Sequence, residues 1–181
     1  MILASPNYFK SFYIVDSNID DNLIANALET AQQVEIQSLI GTKLLQTLTS
    51  KAETNTLTPF EQEFLKEYLR PTLVRFGAVH LAFLLNNRFT AQGVINKETD
   101  SSNPVDWRVV QDELRNIAEF YAQRMLRYIL ANLNQFPDFF KIDDISQMRS
   151  RLTSYSIGWH LRKNRRINGL DTDRGVFSKC F

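Results

Sequence analysis

Residues 73–85 have the sequence LVRFGAVHLAFLL, and this stretch is apolar on nearly every face when it is drawn as a helix. A helix that is hydrophobic all round is typical of a buried position, so we predict that this helix lies at the centre of the fold. Pro71 precedes it, where a proline fits the first turn of a helix and bends the chain after Arg70. The other helices are expected to pack around this one.

Signals for further helices stand on both sides of the central stretch. Asp20 lies in the first turn of a helix that Gly41 would end with a left-handed cap. Residues 58–61, TPFE, carry a cap, a proline at the first helical position and the acid of a capping box. Residues 103–106, NPVD, repeat this pattern before a helix that Phe136-Pro137 ends. The chain is therefore predicted to be mainly α, a compact helical bundle of about four to five helices.

The helix after residue 106 is expected to run about 30 residues, or ~45 Å, which exceeds the width of a small domain. Part of it is therefore expected to lie against something else. Its apolar residues recur at helical spacing and are expected to form one stripe, which consists of Val110, Leu114, Ile117, Tyr121, Met125, Tyr128 and Leu133.

Two segments are expected to depart from the helical pattern. Residues 8–15, YFKSFYIV, are aromatic and β-branched, which favours a short strand or an extended arm. Residues 89–103, FTAQGVINKETDSSN, are expected to hold a small β-hairpin or a loop insertion. We therefore divide the chain into an amino-terminal arm or strand (1–17), a helical domain (18–141) and a basic carboxy-terminal segment or docking tail (142–181).

Composition bounds the class of protein. With 181 residues, 44% hydrophobic and 23% charged, the chain suits one globular domain that needs neither disulfides nor metals. Cys180 is the single cysteine and cannot form an internal disulfide. The longest apolar run, residues 78–85, is far short of the ~20 residues that a membrane span needs, and no secretory signal is evident at the amino terminus. We expect a soluble protein of a reducing compartment, without a membrane partner.

Few residues suggest catalysis or metal binding. His80 lies in the apolar helix and is expected to be a hydrogen-bonded core histidine, and His160 favours an interface role. The pairs Asp20-Asp21 and Asp143-Asp144 are typical of helix caps, although paired acids can also bind a metal. Cys180 has no evident base partner. No enzyme activity, cofactor or metal is therefore expected.

Charge is distributed unevenly along the chain. Residues 145–181 hold eight Lys and Arg against two acids, a net +6, whereas residues 1–144 hold 13 basic and 18 acidic side chains, a net −5. This asymmetry indicates a tail that meets an acidic surface or nucleic acid.

The tail mixes basic and large apolar side chains, which we take as candidate docking residues: Trp159, Leu161, Arg162, Lys163, Arg165, Arg166, Ile167, Leu170 and Phe181. A solvated surface segment, phosphate binding and docking on an acidic protein surface are the alternatives. The mixture favours protein docking, although aromatic side chains can also stack on single-stranded bases.

Three stretches give the chain a resemblance to a known family. They are Ala27-Leu28 with IQSLIGTKL at 36–44, then Gly93-Val94, and finally AEFY at 118–121 with YILAN at 128–132 and Phe136-Pro137. Residues 18–140, which contain them, resemble the small helical head–tail connector (adaptor) proteins of tailed bacteriophages, particularly the ring proteins of crAss-like and related Bacteroidetes phages. The tail is not covered by the resemblance.

This resemblance implies a structural virion protein in the neck, at the head–tail interface. It implies a homo-oligomeric ring, commonly of about twelve subunits, that lies beneath the portal, contacts the portal and other neck or tail proteins, and lets DNA pass without sequence-specific binding. The alternative is a small DNA-binding protein that uses the basic residues 149–166. A metal- or acid-dependent enzyme is a third hypothesis, which would need the paired acids to share a pocket.

Overall fold

The apolar stretch forms α6 (Arg70–Asn86), which packs against both α2 (Asp21–Ala31) and α7 (Trp107–Ala131). Residues that the computed structural model describes are 2–13, 19–90, 93–96, 107–144 and 146–150. The prediction of a central helix is confirmed by its buried side chains, which include Leu73, Val74, Phe76, Val79 and Leu81. Phe83 and Leu85, near the end of α6, are instead exposed.

The mainly helical class is confirmed as well. Within the described residues, five continuous helical stretches cover residues 6–12, 21–40, 42–53, 59–86 and 107–131. The second of these joins α2 to α3 (Gln37–Ile40) through a wide π-helical turn, Gln32–Ile36, and the third is α4 (Thr42–Glu53). No helix in the described part of the chain is long and apolar enough to cross a membrane.

Pro71 does not begin a new helix, in contrast to the prediction. The helical stretch 59–86 runs from α5 (Pro59–Phe64) through a second wide π-helical turn (Leu65–Leu69) directly into α6. In that turn the Arg70 N–H donates to the Leu65 carbonyl, five residues back. A proline inside a helix lacks an N–H and crowds the carbonyl four residues before it, and the wide turn just ahead of Pro71 relieves this crowding.

Residues 8–12 form neither a strand nor an extended arm, so that prediction is wrong for this part of the chain. They belong to α1 (Pro6–Phe12). The Ser5 side chain caps α1 by accepting from the Tyr8 N–H at 3.2 Å, and the proline stands in the first turn. Phe9 is buried in the core, and the helix brings the rings of Phe9 and Tyr13 within 5.2 Å of each other, as residues four apart in a helix do. Residues 14–18 lie outside the described residues.

Gly77 sets the distance between α2 and α6. A Cβ atom at this position would lie only 2.7 Å from Cδ2 of Leu28 and 3.7 Å from the Phe9 ring. Leu28 and Phe9 are themselves buried. Helices α1, α2 and α6 therefore meet where one residue has no side chain.

Two four-residue strands follow α6. β1 (Asn87–Thr90) and β2 (Gly93–Asn96) pair antiparallel, with Asn87 opposite Asn96 and Thr90 opposite Gly93. This pairing covers residues 87–90 and 93–96, so it begins two residues before the predicted insertion at 89–103 and reaches only its first part. It does not establish the hairpin or loop predicted there. Most of the remaining insertion lies outside the described residues, so it stays a prediction.

The described part of α7 has 25 residues, and its predicted start at residues 103–106 lies outside the described residues. After α7 the chain turns through a 3-10 helix (Leu133–Gln135) and folds back on the body. The Thr42 N–H donates to the Met148 carbonyl at 3.0 Å, and the Met148 N–H donates to the Thr42 hydroxyl at 2.9 Å. Ser150 is buried. The predicted boundary at residue 141 is therefore not a structural one, because the described residues 142–144 and 146–150 lie beyond it and reach the body at Thr42.

Gly41 makes this return possible. Its φ of +85° and ψ of 155° lie outside the left-handed cap that the sequence predicts, in a region that is open essentially to glycine alone. A Cβ here would lie 3.3 Å from both the Met148 carbonyl oxygen and the Ser150 nitrogen. The joint between α3 and α4 therefore depends on glycine for its backbone angles and for its contact with the returning chain.

Replacing Gly41 with alanine (Gly41→Ala) should lower the free energy of unfolding by roughly 1–3 kcal/mol because both the backbone angles and the contact are strained. Urea denaturation followed by circular dichroism measures this change. Gln46→Ala, at an exposed position of α4, serves as the control and should stay within about 0.5 kcal/mol of the wild type. Equal stability of the two variants would contradict this account of Gly41.

The predicted capping box at the start of α5 is confirmed. The Thr58 N–H donates to Glu61 at 2.9 Å, the Glu61 N–H donates to the Thr58 hydroxyl at 3.2 Å, and Lys51 donates to the same carboxylate at 2.5 Å. Burial works to raise the pKa of the Glu61 carboxyl, but the hydrogen bonds from Lys51 and Thr58 outweigh it and hold that pKa below its usual value. The ionised carboxylate therefore ties α4 to α5.

Glu61→Gln keeps the capping geometry but removes the charge, and should lower the free energy of unfolding at pH 7 by roughly 1–2 kcal/mol. Because the pKa of Glu61 is lower in the folded protein than in the unfolded chain, its charge stabilises the fold at pH values above the usual carboxyl pKa of ~4. This stabilisation is lost as the pH falls through the pKa that Glu61 has in the folded protein. The difference between variant and wild type should thus shrink below about pH 4. Urea titrations from neutral to acidic pH measure it, with Glu63→Gln, exposed on the same helix, as the control. A difference that stays constant down to the most acidic pH would argue against the charge-based account.

Candidate functional site

Helix α7 has a buried face and two further faces that matter for function. Its buried side chains are spaced four and three residues apart, and they are Ala118, Ala122, Met125 and Ile129. Such spacing lines one side of a helix, here the side that α6 covers. The other faces of α7 are left for other contacts.

An apolar stripe runs along the exposed side of the amino-terminal half of α7. This α7 stripe consists of Val109, Val110, Ile117 and Phe120, whose exposed fractions are 55%, 39%, 44% and 64%. Steps of seven residues from Val110 to Ile117, and of eleven from Val109 to Phe120, place them on one side of the helix. The exposed Glu113 lies on the same side, between Val110 and Ile117, so the stripe consists of two apolar pairs separated by one acid. Four exposed apolar side chains on one side of a helix are typical of an interaction surface.

The sequence pattern does not separate this stripe from the core. Val110, Ile117 and Met125 are predicted to lie on one stripe of α7, and the structure shows Val110 and Ile117 exposed but Met125 buried. Leu114, which lies between Val110 and Ile117 in the sequence, packs against the core. The sequence does contain a signal for a second apolar row on α7. Val109 and Phe120 directly precede Val110 and Tyr121, so they repeat the helical spacing of the predicted stripe.

A groove lies on another side of α7, towards the first wide turn and α3. This α7 groove has a volume of about 300 Å³, and the lining residues that matter for its chemistry are Glu35, Leu39, Phe76, Arg115, Glu119 and Leu126. Three of the six are apolar, two are carboxylates and one is a guanidinium. The groove therefore offers an apolar floor with net negative charge at its edges.

Glu35 joins three elements at the groove. Its Oε1 lies 3.7 Å from Nε2 of His80 on α6 and 3.8 Å from Nη2 of Arg115 on α7, while Glu35 itself belongs to the first wide turn. These are ion-pair distances and are too long for hydrogen bonds. The carboxylate thus sits between two nitrogen-bearing side chains at the wall of the groove.

His80 differs from the expected hydrogen-bonded core histidine. Its side chain is 23% exposed, and its buried Nε2 has no hydrogen-bond partner among the described residues. Within the described part of the chain, no group of three or more His, Cys, Asp or Glu side chains is placed to hold a metal ion.

The paired acids have local structural contacts. Asp20 caps α2 by accepting from the Asn22 N–H at 2.9 Å, as predicted. Asp143 pairs with Lys43, and Asp144 accepts from the Ser146 hydroxyl, so this second pair does not cap a helix.

The predicted docking residues of the tail, from Trp159 to Phe181, lie outside the described residues and remain predictions. Of the basic segment after residue 145, the described part shows Arg149, which lines an open depression together with Asp143 and Asp144. The first cation of this segment therefore adjoins carboxylates.

The described part of the chain is mainly helical, with one buried central helix, α6. The outer helix α7 carries an exposed apolar stripe and lines a groove. A family model described as "Family of unknown function (DUF6712)" matches residues 36–146, well over half of the chain, so the protein belongs to this family. No curated protein and no solved structure matches the chain.

Proposed function

We propose that this protein is a structural assembly subunit, and specifically a subunit of a head-to-tail connector ring that lies beneath the portal of a tailed bacteriophage. In this role it joins the capsid portal to the tail in the neck of the virion and lets DNA pass. The observation that carries the assembly role is the exposed α7 stripe. The phage setting, the portal contact and a ring of about twelve subunits rest on the resemblance of residues 18–140 to connector proteins.

Through a single contact, the α7 stripe supports only weak self-association. Each of its four side chains is already about half covered, so burying the remainder contributes roughly 1 kcal/mol apiece. Their sum of ~4 kcal/mol matches the lower end of the cost of association, ~4–15 kcal/mol. One such contact is therefore weak, whereas a closed ring holds every subunit through two neighbours and becomes stable.

A ring needs two different complementary surfaces on each subunit. Phe140 and Met148, 51% and 49% exposed, give the segment after α7 a second apolar surface. The opposite net charges of residues 1–144 and 145–181 provide further complementarity between neighbouring copies. These features favour a head-to-tail arrangement of subunits.

Replacing two residues of the stripe (Ile117→Ser with Phe120→Ser) should shift the protein from closed rings to monomers, because their apolar surface would no longer be buried between copies. Light scattering after size exclusion, together with electron microscopy of negatively stained particles, measures this shift. Circular dichroism checks that the helices are retained. Asp112→Asn, at an exposed position of α7 outside the stripe, is the matched control and should leave the rings intact.

Two results would count against the proposal. One is a wild-type protein that stays monomeric over a wide concentration range and does not bind a portal. The other is a stripe variant that assembles as the wild type does, which would remove the stripe as the contact even if rings form.

The net +6 of residues 145–181 favours a second candidate function, non-specific DNA binding. It predicts micromolar binding to random duplex DNA with a steep dependence on salt concentration. Absent or salt-insensitive binding in a fluorescence anisotropy titration would exclude it. Arg149 lines one open depression together with Asp143 and Asp144, of which Asp143 is paired with Lys43, so this cation does not stand on a purely basic surface.

A further inference from the structure

The α7 groove has the chemistry of a peptide-binding surface. Leu39, Phe76 and Leu126 supply apolar contacts, and Glu119 stands on exposed α7 surface beside them. A groove of this kind suits a segment that carries an apolar anchor together with basic side chains.

The described chain ends next to this groove. The Ser150 nitrogen lies 3.3 Å from the position that a Cβ on Gly41 would take, and Gly41 follows Leu39 by two residues. Two residues span at most ~7 Å, so the chain leaves the described region close to one end of the groove.

The residues that follow Ser150 match the groove in charge and in length. Residues 151–181 hold seven Lys and Arg against two acids, and the first of the candidate docking residues among them is Trp159. Nine residues of extended chain reach ~30 Å, which is ample to place Trp159 anywhere along the groove. Charge, anchor and reach thus point to the same segment.

We propose that the α7 groove is the docking site for the carboxy-terminal segment of the same chain, residues 151–181. Trp159 and Leu161 cover the apolar floor, and the adjacent basic residues face Glu119. This docking uses a different side of α7 from the stripe, but it engages the same basic segment whose charge the proposed ring would use between neighbouring copies. A tail that binds a partner protein through Trp159 and Leu161 must first leave the groove, so docking regulates when the tail is available.

Photocrosslinking of the full-length protein tests this docking. A benzoylphenylalanine is introduced at Gln123, an exposed residue that lines the groove, and as a control at Glu113, on the side of the stripe. Denaturing gels separate links within one chain, which run as monomer, from links between chains, and mass spectrometry of each band maps the linked residues.

The probe at Gln123 should give monomer-band links to residues 151–181, and the probe at Glu113 should not. Any one of three results overturns docking. Both probes link to residues 151–181 equally, neither probe links to them, or links from Gln123 to them appear only in the dimer band.

Substitutions in the tail test the anchors without touching the folded body. Trp159→Ser with Leu161→Ser should weaken the docking equilibrium about tenfold or more and lower the yield of the Gln123 link accordingly. Ser178→Ala, at a polar position of the tail that is not a candidate docking residue, is the control and should leave the yield unchanged. An unchanged yield in the first variant, or an equal loss in both, would refute the assignment of the anchors.

Discussion

The close contact of α2 and α6 at Gly77 is the constraint on which the rest of the structure depends. Because Gly77 has no Cβ, the buried Leu28 side chain reaches the backbone of α6 and Phe9 closes the contact from α1. A Cβ at this position would meet the end of the Leu28 side chain at 2.7 Å, so that buried side chain would have to shift. The first wide turn continues from α2, so the position of Glu35 at the α7 groove follows from the same contact.

Features fixed by neighbouring residues could be predicted from the sequence, and features fixed by distant contacts could not. The capping box of Thr58 and Glu61 was predictable because its partners are three residues apart. The continuation of the helix through Pro71 depends on a wide turn that no residue type announces. The buried residues of α7 and those of its exposed stripe recur with the same helical period. Only the position of α6 therefore decides that Met125 is buried and Ile117 is exposed. The α7 groove combines residues from three separate elements, and no local pattern links them.

Helix α7 concentrates the functional surfaces of the described chain. One side closes the core against α6, one side carries the stripe and one side forms the groove. Under the assembly and docking proposed above, a substitution on α7 would act on stability, on association or on docking of the tail, depending on which side of the helix carries it. This division makes the helix suitable for an assembly protein, because each contact can change without loss of the others.

The hydrogen bonds between Thr42 and Met148 have a mechanical consequence. They anchor the end of the described chain at the joint between α3 and α4, beside Gly41, and leave Ser150 buried there. Tension applied to the carboxy-terminal segment would enter the body at this joint and spread to the helices on both sides of it. A pull on the tail would thus load the interior of the subunit before it could peel away the segment that follows α7.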